Sequence, residues 1–289
     1  MLRAVGSLET IVVEERTTPG ARVALTIGAS DSGGGSGIAA DLKTFSVLDV
    51  FGTVAITAVT AQNTTAVKAI SLLEPDLVRQ QIEAVATDIG VHAVKCGLLP
   101  GGAMILQVAQ AIKRFNLFPL VVDPVMVTTG GTMLMDEAAV PVLCAELLPL
   151  AAVATPNRTE AARMLGRNEP VEDLYTARSA ASEICRRFDL RACIVTGIQR
   201  PNDEEGEAVD LYFDGTESRE LISDWRPTGA THGAGTTFSA AITAGLATGQ
   251  PIDEAIQTAK HLVSEAIRQT TDLGSGASPV NPLAYAKVK

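Results

Sequence analysis

Residues 228–246 read TGATHGAGTTFSAAITAGL, and this stretch indicates the kind of fold to which the whole chain belongs. A glycine-rich turn leads directly into apolar residues at helical spacing: Phe238, Ile242 and Leu246. Thr236 and Thr237 fall in the first turn of the predicted helix, where unpaired N–H groups and the helix dipole favour negative charge. The stretch therefore predicts a site for a phosphate or a phosphoryl group, and a tight turn without a ligand is the alternative.

Two glycines of the turn support the phosphate interpretation. Gly233 and Gly235 would let the backbone approach a phosphate with no Cβ in the way. The pattern is not a Walker motif, because Thr236 follows the second glycine where that motif needs a lysine. It is also not the dinucleotide fingerprint that follows an early strand. The sequence therefore predicts phosphate chemistry of another type.

Composition limits the class of protein. The chain has 289 residues, of which 46% are hydrophobic and 19% charged, so it can bury a large aliphatic core. The net charge of −10 argues against a nucleic-acid partner, since binding the backbone of a nucleic acid needs clustered lysine and arginine. An anionic substrate would therefore have to be bound by local donors.

Cysteine usage and hydropathy predict a cytoplasmic protein with no membrane partner. The cysteines show no C-x-x-C spacing and are interpreted as small core residues in a reducing compartment: Cys96, Cys144, Cys185 and Cys193. A zinc site is not expected. The sequence contains neither an uninterrupted apolar run of ~18 residues nor a signal-peptide pattern at its start.

Strand and helix patterns alternate along the chain. A strand at 23–27 runs into a glycine loop at 28–37 and a helix at 38–48. Further strands are predicted at 53–60, 93–97, 120–122, 152–154 and 192–196, with a hairpin of 209–213 and 220–225. Helices are predicted at 74–87, 103–115, 138–147 and 174–188, after the glycine turn, and at 252–270. The acidic stretch 199–207 reads as a solvated loop.

This alternation predicts an α/β fold with three α/β/α layers and a mostly parallel central sheet. Residues 1–20 are predicted to be an N-terminal extension, and 21–289 a single domain. In such sheets ligands bind beyond the carboxyl ends of the strands. Polar residues follow several predicted strands there: Gln62, Asn63, Asp123, Asn157 and Glu160. For Gln62, Asn63 and Asp123, ligand or metal contacts and plain capping explain the residues equally well. Asn157 and Glu160 could also lie near a hydrated Mg²⁺, but a capping box is the simpler explanation for them.

Six blocks occur in an order that can be compared with known families: ALTIGASDSGGGSGIAADLKTFS (24–46), AITAVTAQNT (55–64), VKCGLL (94–99), VVDPVM (121–126), TPNRTEA (155–161) and THGAGTTFSAAI (231–242). Together they resemble the ribokinase-like superfamily. Within it they are most similar to the hydroxymethylpyrimidine and phosphomethylpyrimidine kinases of thiamine biosynthesis. The resemblance covers about residues 22–282.

The resemblance implies a homodimer that uses ATP and Mg²⁺ to phosphorylate a small pyrimidine alcohol or its phosphate ester. By position, Gln62 would hydrogen-bond the pyrimidine ring in a pocket lined by Ala29, Asp31, Ser36, Leu98 and Val125. Asp123 and Glu160, with Asn157, would organise Mg²⁺ and the phosphates. The nucleotide side would include Asn157, Thr196, Gly197 and Thr231. The N–H groups that stabilise the transferred phosphoryl group would come from Gly233, Ala234 and Gly235.

Two positions depart from the family pattern. Relatives carry Cys, and more distant sugar kinases Asp, where this chain has Thr236, and an alcohol is a poor proton acceptor by comparison. The family's Lys-Gly-Gly reads Thr196-Gly197-Ile198 here, which removes a cation from the ATP phosphates. These departures leave open a catalytically weakened protein that keeps the pyrimidine pocket. The resemblance also leaves open a pyridoxal or pyridoxine kinase, because related kinases accept that ring alcohol of similar size.

Overall fold

A computed structural model describes residues 20–127, 133–198, 207–224, 231–270 and 272–287 of the chain. The predicted N-terminal extension, apart from Gly20, lies outside the described residues. So do most of the acidic loop, the last residue of the predicted hairpin, Trp225, and residues 228–230 of the glycine-rich stretch. Within the described part of the chain, no helix is long and apolar enough to cross a membrane.

The described strands form one nine-stranded sheet in the order β3-β2-β1-β4-β5-β6-β7-β8-β9. Pairing is parallel from β2 through β7 and antiparallel at β2–β3, β7–β8 and β8–β9. This confirms the mostly parallel sheet. The strands are β1 (Val23–Asp31), β2 (Phe51–Gln62), β3 (Val67–Leu72), β4 (Ala93–Cys96), β5 (Leu120–Val122), β6 (Val153–Ala154), β7 (Ala192–Ile198), β8 (Glu207–Phe213) and β9 (Ser218–Asp224).

Helices cover both faces of the sheet. They are α1 (Gly37–Val47), α2 (Pro75–Asp88), α3 (Gly102–Arg114), α4 (Val140–Val142), α5 (Arg158–Met164), α6 (Leu174–Phe188), α7 (Ala234–Ala247) and α8 (Ile252–Arg268). Because strand side chains alternate, Leu120 and Val122 pack with α2, α3 and α6, while Val121 packs with α7 and α8. The predicted three layers are confirmed.

Two predicted elements need correction, and one strand was not predicted. β1 continues to Asp31 because it stays paired with β2, so the glycine loop begins later than predicted. The antiparallel edge strand β3 was missed, because its mostly exposed residues carry no burial pattern. The predicted helix 138–147 is instead a series of short 3₁₀, α and π turns spanning 137–150, where Pro141 and Pro149 interrupt regular helical hydrogen bonding.

The cysteines are free thiols. Cys96, Cys185 and Cys193 are buried, as predicted for small core residues, whereas Cys144 is only partly buried. Burial raises the pKa of the Cys96 thiol to about 12, so this thiol stays protonated at neutral pH. The cysteines are therefore part of the packing of the sheet and its helices.

Candidate active site

A cavity of about 330 Å³ lies beyond the carboxyl ends of the parallel strands and beside the start of α7. This is where ligands bind in open α/β sheets. The predicted site residues found in its lining are Ala29, Asp31, Ser36, Gln62, Leu98, Asp123, Val125, Asn157, Glu160, Thr196, Thr231, Gly233, Ala234, Gly235 and Thr236. The fold therefore brings residues from most of the chain to one place.

Gly197 is the predicted site residue that does not line this cavity. Its N–H group donates to the Asp210 carboxylate at 2.8 Å, and its φ of +74° favours glycine in the strand bulge. Its neighbour Thr196 does reach the cavity and forms a parallel bridge with Asn157. The nucleotide role of Gly197 stays a prediction.

Gly233 is explained by packing. It caps α7 with a φ of 79°, and a Cβ there would lie 1.8 Å from the Gly35 carbonyl oxygen. A side chain at this position would therefore meet both backbone strain and a collision with the glycine loop that follows β1. Gly235 differs, because nothing lies within 4 Å of the position its Cβ would take. Of the two glycines, Gly235 is the one that leaves open space for a ligand.

Of the three predicted donors, Ala234 is the one already engaged within the protein, because its N–H group donates to the Thr231 carbonyl at 3.1 Å. Among the described residues, the N–H groups of Gly233, Gly235 and Thr236 have no hydrogen-bond partner. The last two lie in the first turn of α7, where the helix dipole favours an anion.

Asp31 organises the glycine loop. Its carboxylate accepts from the N–H groups of Gly33 at 2.8 Å, Gly35 at 3.2 Å and Ser36 at 2.9 Å, and from the Ser36 hydroxyl at 2.9 Å. The His232 Nε2 atom lies 3.0 Å from the same carboxylate. Burial would raise the pKa of Asp31, but the bonds from His232, Ser36 and Gly33 outweigh it and lower the pKa below its usual value. The polar groups of Asp31 and Ser36 are thus engaged within the protein, although both residues line the cavity.

A buried ion pair under the cavity was not predicted from the sequence. The Lys95 ammonium lies 2.6 Å from Asp41 and 3.8 Å from Asp123, with its side chain 1% exposed. Thr26 donates to Asp41 at 2.6 Å, and Ser239 of α7 donates to Asp123 at 2.9 Å. A lysine within the short, otherwise apolar strand β4 was a signal that could have revealed this pair.

Asn157 and Glu160 form the capping box that was one of the two predicted explanations. Asn157 accepts from the N–H group of Glu160 at 3.0 Å, and the Glu160 carboxylate accepts from that of Asn157 at 2.9 Å. Burial, followed by repulsion from Asp123, raises the pKa of Glu160 to about 8. Burial also raises the pKa of Asp123. A cavity with two such carboxylates fits Mg²⁺, because the cation prefers carboxylate oxygens and would offset their repulsion.

Two further polar groups of the cavity can contact a ligand. Gln62 accepts at Oε1 from Thr60 at 3.3 Å, and its NH₂ group has no partner among the described residues. The Thr155 hydroxyl is buried and also lacks a partner within that part of the chain. Thr155 was not singled out from the sequence. An unpaired buried hydroxyl costs free energy unless a ligand or water satisfies it.

Known proteins resemble this chain in sequence and in fold. The sequence pattern of the phosphomethylpyrimidine kinase family matches residues 31–281. A Rhizobium meliloti hydroxymethylpyrimidine/phosphomethylpyrimidine kinase is 44% identical, over 90% of this chain and 96% of the relative. The Bacillus subtilis protein of the same name is 41% identical, over 91% and 96%. The structure of an ADP complex of Bacillus subtilis pyridoxal kinase is also similar, with a TM-score of 0.83 and 36% identity over 91% of this chain and 98% of that one. The chain therefore belongs to the phosphomethylpyrimidine kinase family.

Proposed function

We propose that this protein transfers the γ-phosphoryl group of ATP to hydroxymethylpyrimidine or to its monophosphate, in thiamine biosynthesis. The observation that carries the proposal is that the N–H groups of Gly235 and Thr236, in the first turn of α7, have no partner in the described part of the chain and line the cavity that also contains Gln62. Anion donors and a ring-binding amide in one cavity suit a kinase for a small heterocyclic alcohol. The names of the relatives support the same substrates.

Each side of the cavity has a proposed part in the reaction. Gln62 binds the pyrimidine ring against Ala29, Leu98 and Val125, while Asp31 and Ser36 shape the loop beside it. Asn157, Thr196 and Thr231 form the nucleotide side, with Gly197 next to it outside the cavity lining. Asp123 and Glu160 hold Mg²⁺, which supplies neutralisation of the phosphate charge when bound.

The start of α7 acts on the transferred group. The N–H groups of Gly235 and Thr236 donate to the phosphoryl oxygens as charge develops on them. The substrate hydroxyl oxygen forms the new bond to phosphorus as the bond to the leaving ADP breaks. Catalysis in this scheme comes from positioning and from charge stabilisation.

The test is release of ADP from MgATP by the purified protein in the presence of hydroxymethylpyrimidine, against a control without the alcohol. Pyridoxal is the second substrate to compare, because the similar ADP-bound structure is a pyridoxal kinase. Faster turnover of pyridoxal at equal concentration would overturn the pyrimidine assignment. Binding of the pyrimidine by calorimetry without any ADP release would show a retired enzyme.

We further propose that residues 21–289 act as one kinase domain and that two copies form a homodimer. The first proposal is supported by the single sheet that runs from β1 to β9. The second is supported by the edge strand β3, on which Ile70 is 41% and Leu72 58% exposed. Ile70→Lys should convert the protein to monomers in light scattering, whereas an unchanged molar mass would exclude β3 from the interface.

A further inference from the structure

The His232 imidazole is oriented by Asp31. The Nε2–Oδ2 distance is 3.0 Å, and the two side chains are 16% and 3% exposed. Asp31 also accepts from Gly33, Gly35 and Ser36, which keeps it ionised and limits it to accepting hydrogen bonds. The imidazole must therefore donate its Nε2 proton to Asp31. In the neutral ring this leaves the lone pair on Nδ1, the nitrogen that accepts a proton.

The surroundings of His232 hold the ring in place. Its carbonyl accepts from the N–H group of Val280 at 3.1 Å. Its Cδ2 atom lies 2.5 Å from the position that a Cβ on Gly35 would take, so only glycine allows the ring to pack there. Nδ1 has no hydrogen-bond partner among the described residues, and His232 lines the cavity that contains Gln62 and the start of α7.

The cavity offers few other proton acceptors. The Thr236 side chain is an alcohol, which does not accept a proton at neutral pH. The other titratable groups in the cavity lining are Asp31, Asp41, Lys95, Asp123 and Glu160. Asp31 is bonded to the glycine loop, and Asp41 is paired with Lys95. Asp123 and Glu160 are the carboxylates proposed above for Mg²⁺. A neutral imidazole with an unpartnered nitrogen is therefore the suitable base that is not committed elsewhere.

We propose that His232 is the proton acceptor for the substrate hydroxyl and that Asp31 is its positioning residue; this inference rests on the kinase function proposed above. The hydroxyl oxygen forms a bond to the γ-phosphorus while the bond between that phosphorus and the β,γ-bridging oxygen breaks. The electron pair of the broken bond leaves with ADP. The hydroxyl proton moves to Nδ1 of His232, and the imidazolium ion is stabilised by the Asp31 carboxylate.

The experiment compares the whole wild-type protein with His232→Ala and His232→Gln. His261→Ala is the matched control, because His261 lies on α8, stacks edge-on against Tyr285 and is not in the cavity lining. Turnover is measured across pH with hydroxymethylpyrimidine and MgATP, and binding of AMP-PCP and of the pyrimidine is measured by calorimetry. His232→Ala is also assayed with added imidazole, which can enter the vacated space and accept the proton.

Both His232 variants should lose at least about 100-fold in kcat, the usual contribution of a general base, while the control does not. Both should still bind AMP-PCP and pyrimidine to within about threefold of wild type, and the loss in kcat should persist at every pH measured. Imidazole should restore turnover to His232→Ala. A role restricted to holding the glycine loop would predict none of this rescue.

Three results would overturn the inference. A kcat within about threefold of wild type in both variants would show that the imidazole takes no proton. Loss of AMP-PCP binding together with failure of imidazole rescue would show that His232 only holds the two loops together. Absence of ADP release by the wild-type protein would remove the proposed kinase function and this inference together, whereas the first two results would leave the kinase function standing.

Discussion

Replacing Lys95 by methionine removes the ammonium ion that lies 2.6 Å from the Asp41 carboxylate. Methionine has a similar length and volume, so the change mainly removes charge. Asp41 is left buried with the Thr26 hydroxyl as its remaining donor among the described residues. Breaking a buried ion pair in this way costs about 3–5 kcal/mol, because one charge stays buried and unpaired. That is a large fraction of the ~5–15 kcal/mol by which proteins are stable.

The double variant Asp41→Asn/Lys95→Met separates the loss of the pair from the loss of packing. The asparagine oxygen can still accept from Thr26, so no unpaired charge remains at position 41. Asp123, which lies 3.8 Å from the lost ammonium, keeps its hydrogen bond from Ser239. We expect its free energy of unfolding to lie within about 1–2 kcal/mol of wild type, since neutral replacements of buried pairs are well tolerated. Urea unfolding of the wild type and both variants measures this difference.

The pH dependence gives a second test of the same reasoning. Burial already raises the pKa of Asp41, and Lys95 is the main opposing influence, so Lys95→Met should raise the pKa further. A carboxyl group whose pKa is higher in the folded than in the unfolded state holds its proton more tightly when the protein is folded. The free energy of unfolding therefore falls as pH rises and the proton is lost. Lys95→Met should therefore recover stability on acidification more than the double variant does. A single variant as stable as wild type, or a double variant no more stable than the single one, would refute this account of the pair.

Four other substitutions test the site. Gly233→Ala should lower the free energy of unfolding by at least about 1–2 kcal/mol, because left-handed backbone strain adds to the clash with Gly35. Gly235→Ala should change the free energy of unfolding by no more than about 0.5 kcal/mol in the same urea titration. It should nevertheless weaken AMP-PCP binding measured by calorimetry. In metal-free buffer, Glu160→Gln should gain stability relative to wild type as pH rises from near 5 to about 8, because the raised pKa of Glu160 makes wild type lose stability over that range. Parallel curves of unfolding free energy against pH for the two proteins would contradict the raised pKa. Gln62→Ala should raise KM for the pyrimidine by about tenfold in steady-state kinetics, since one hydrogen bond to the ring is lost, while KM for ATP stays unchanged. Equal increases in both KM values would mean that Gln62 does not bind the ring specifically.

Local patterns were enough to predict most of the fold. The spacing of apolar residues predicted α6 and β5 at their observed bounds and α2 and α3 to within a residue or two at each end. Periodicity works where one face of an element is buried and the other exposed. It failed at β3, which is exposed almost throughout, and at 137–150, where prolines interrupt an otherwise helical pattern.

The family, the three-layer architecture and the residues that gather at one end of the sheet could all be predicted from the sequence, because six ordered motifs and the alternation of strand and helix are local properties of the chain. Which of those residues have polar groups left unpaired for a ligand became visible only in the folded protein. Asp31 and His232 meet although 201 residues separate them, and Lys95 pairs with Asp41 across 54 residues. Such pairings depend on which strands become neighbours and on how closely two glycine loops pack, and the spacing of residues along the chain predicts neither.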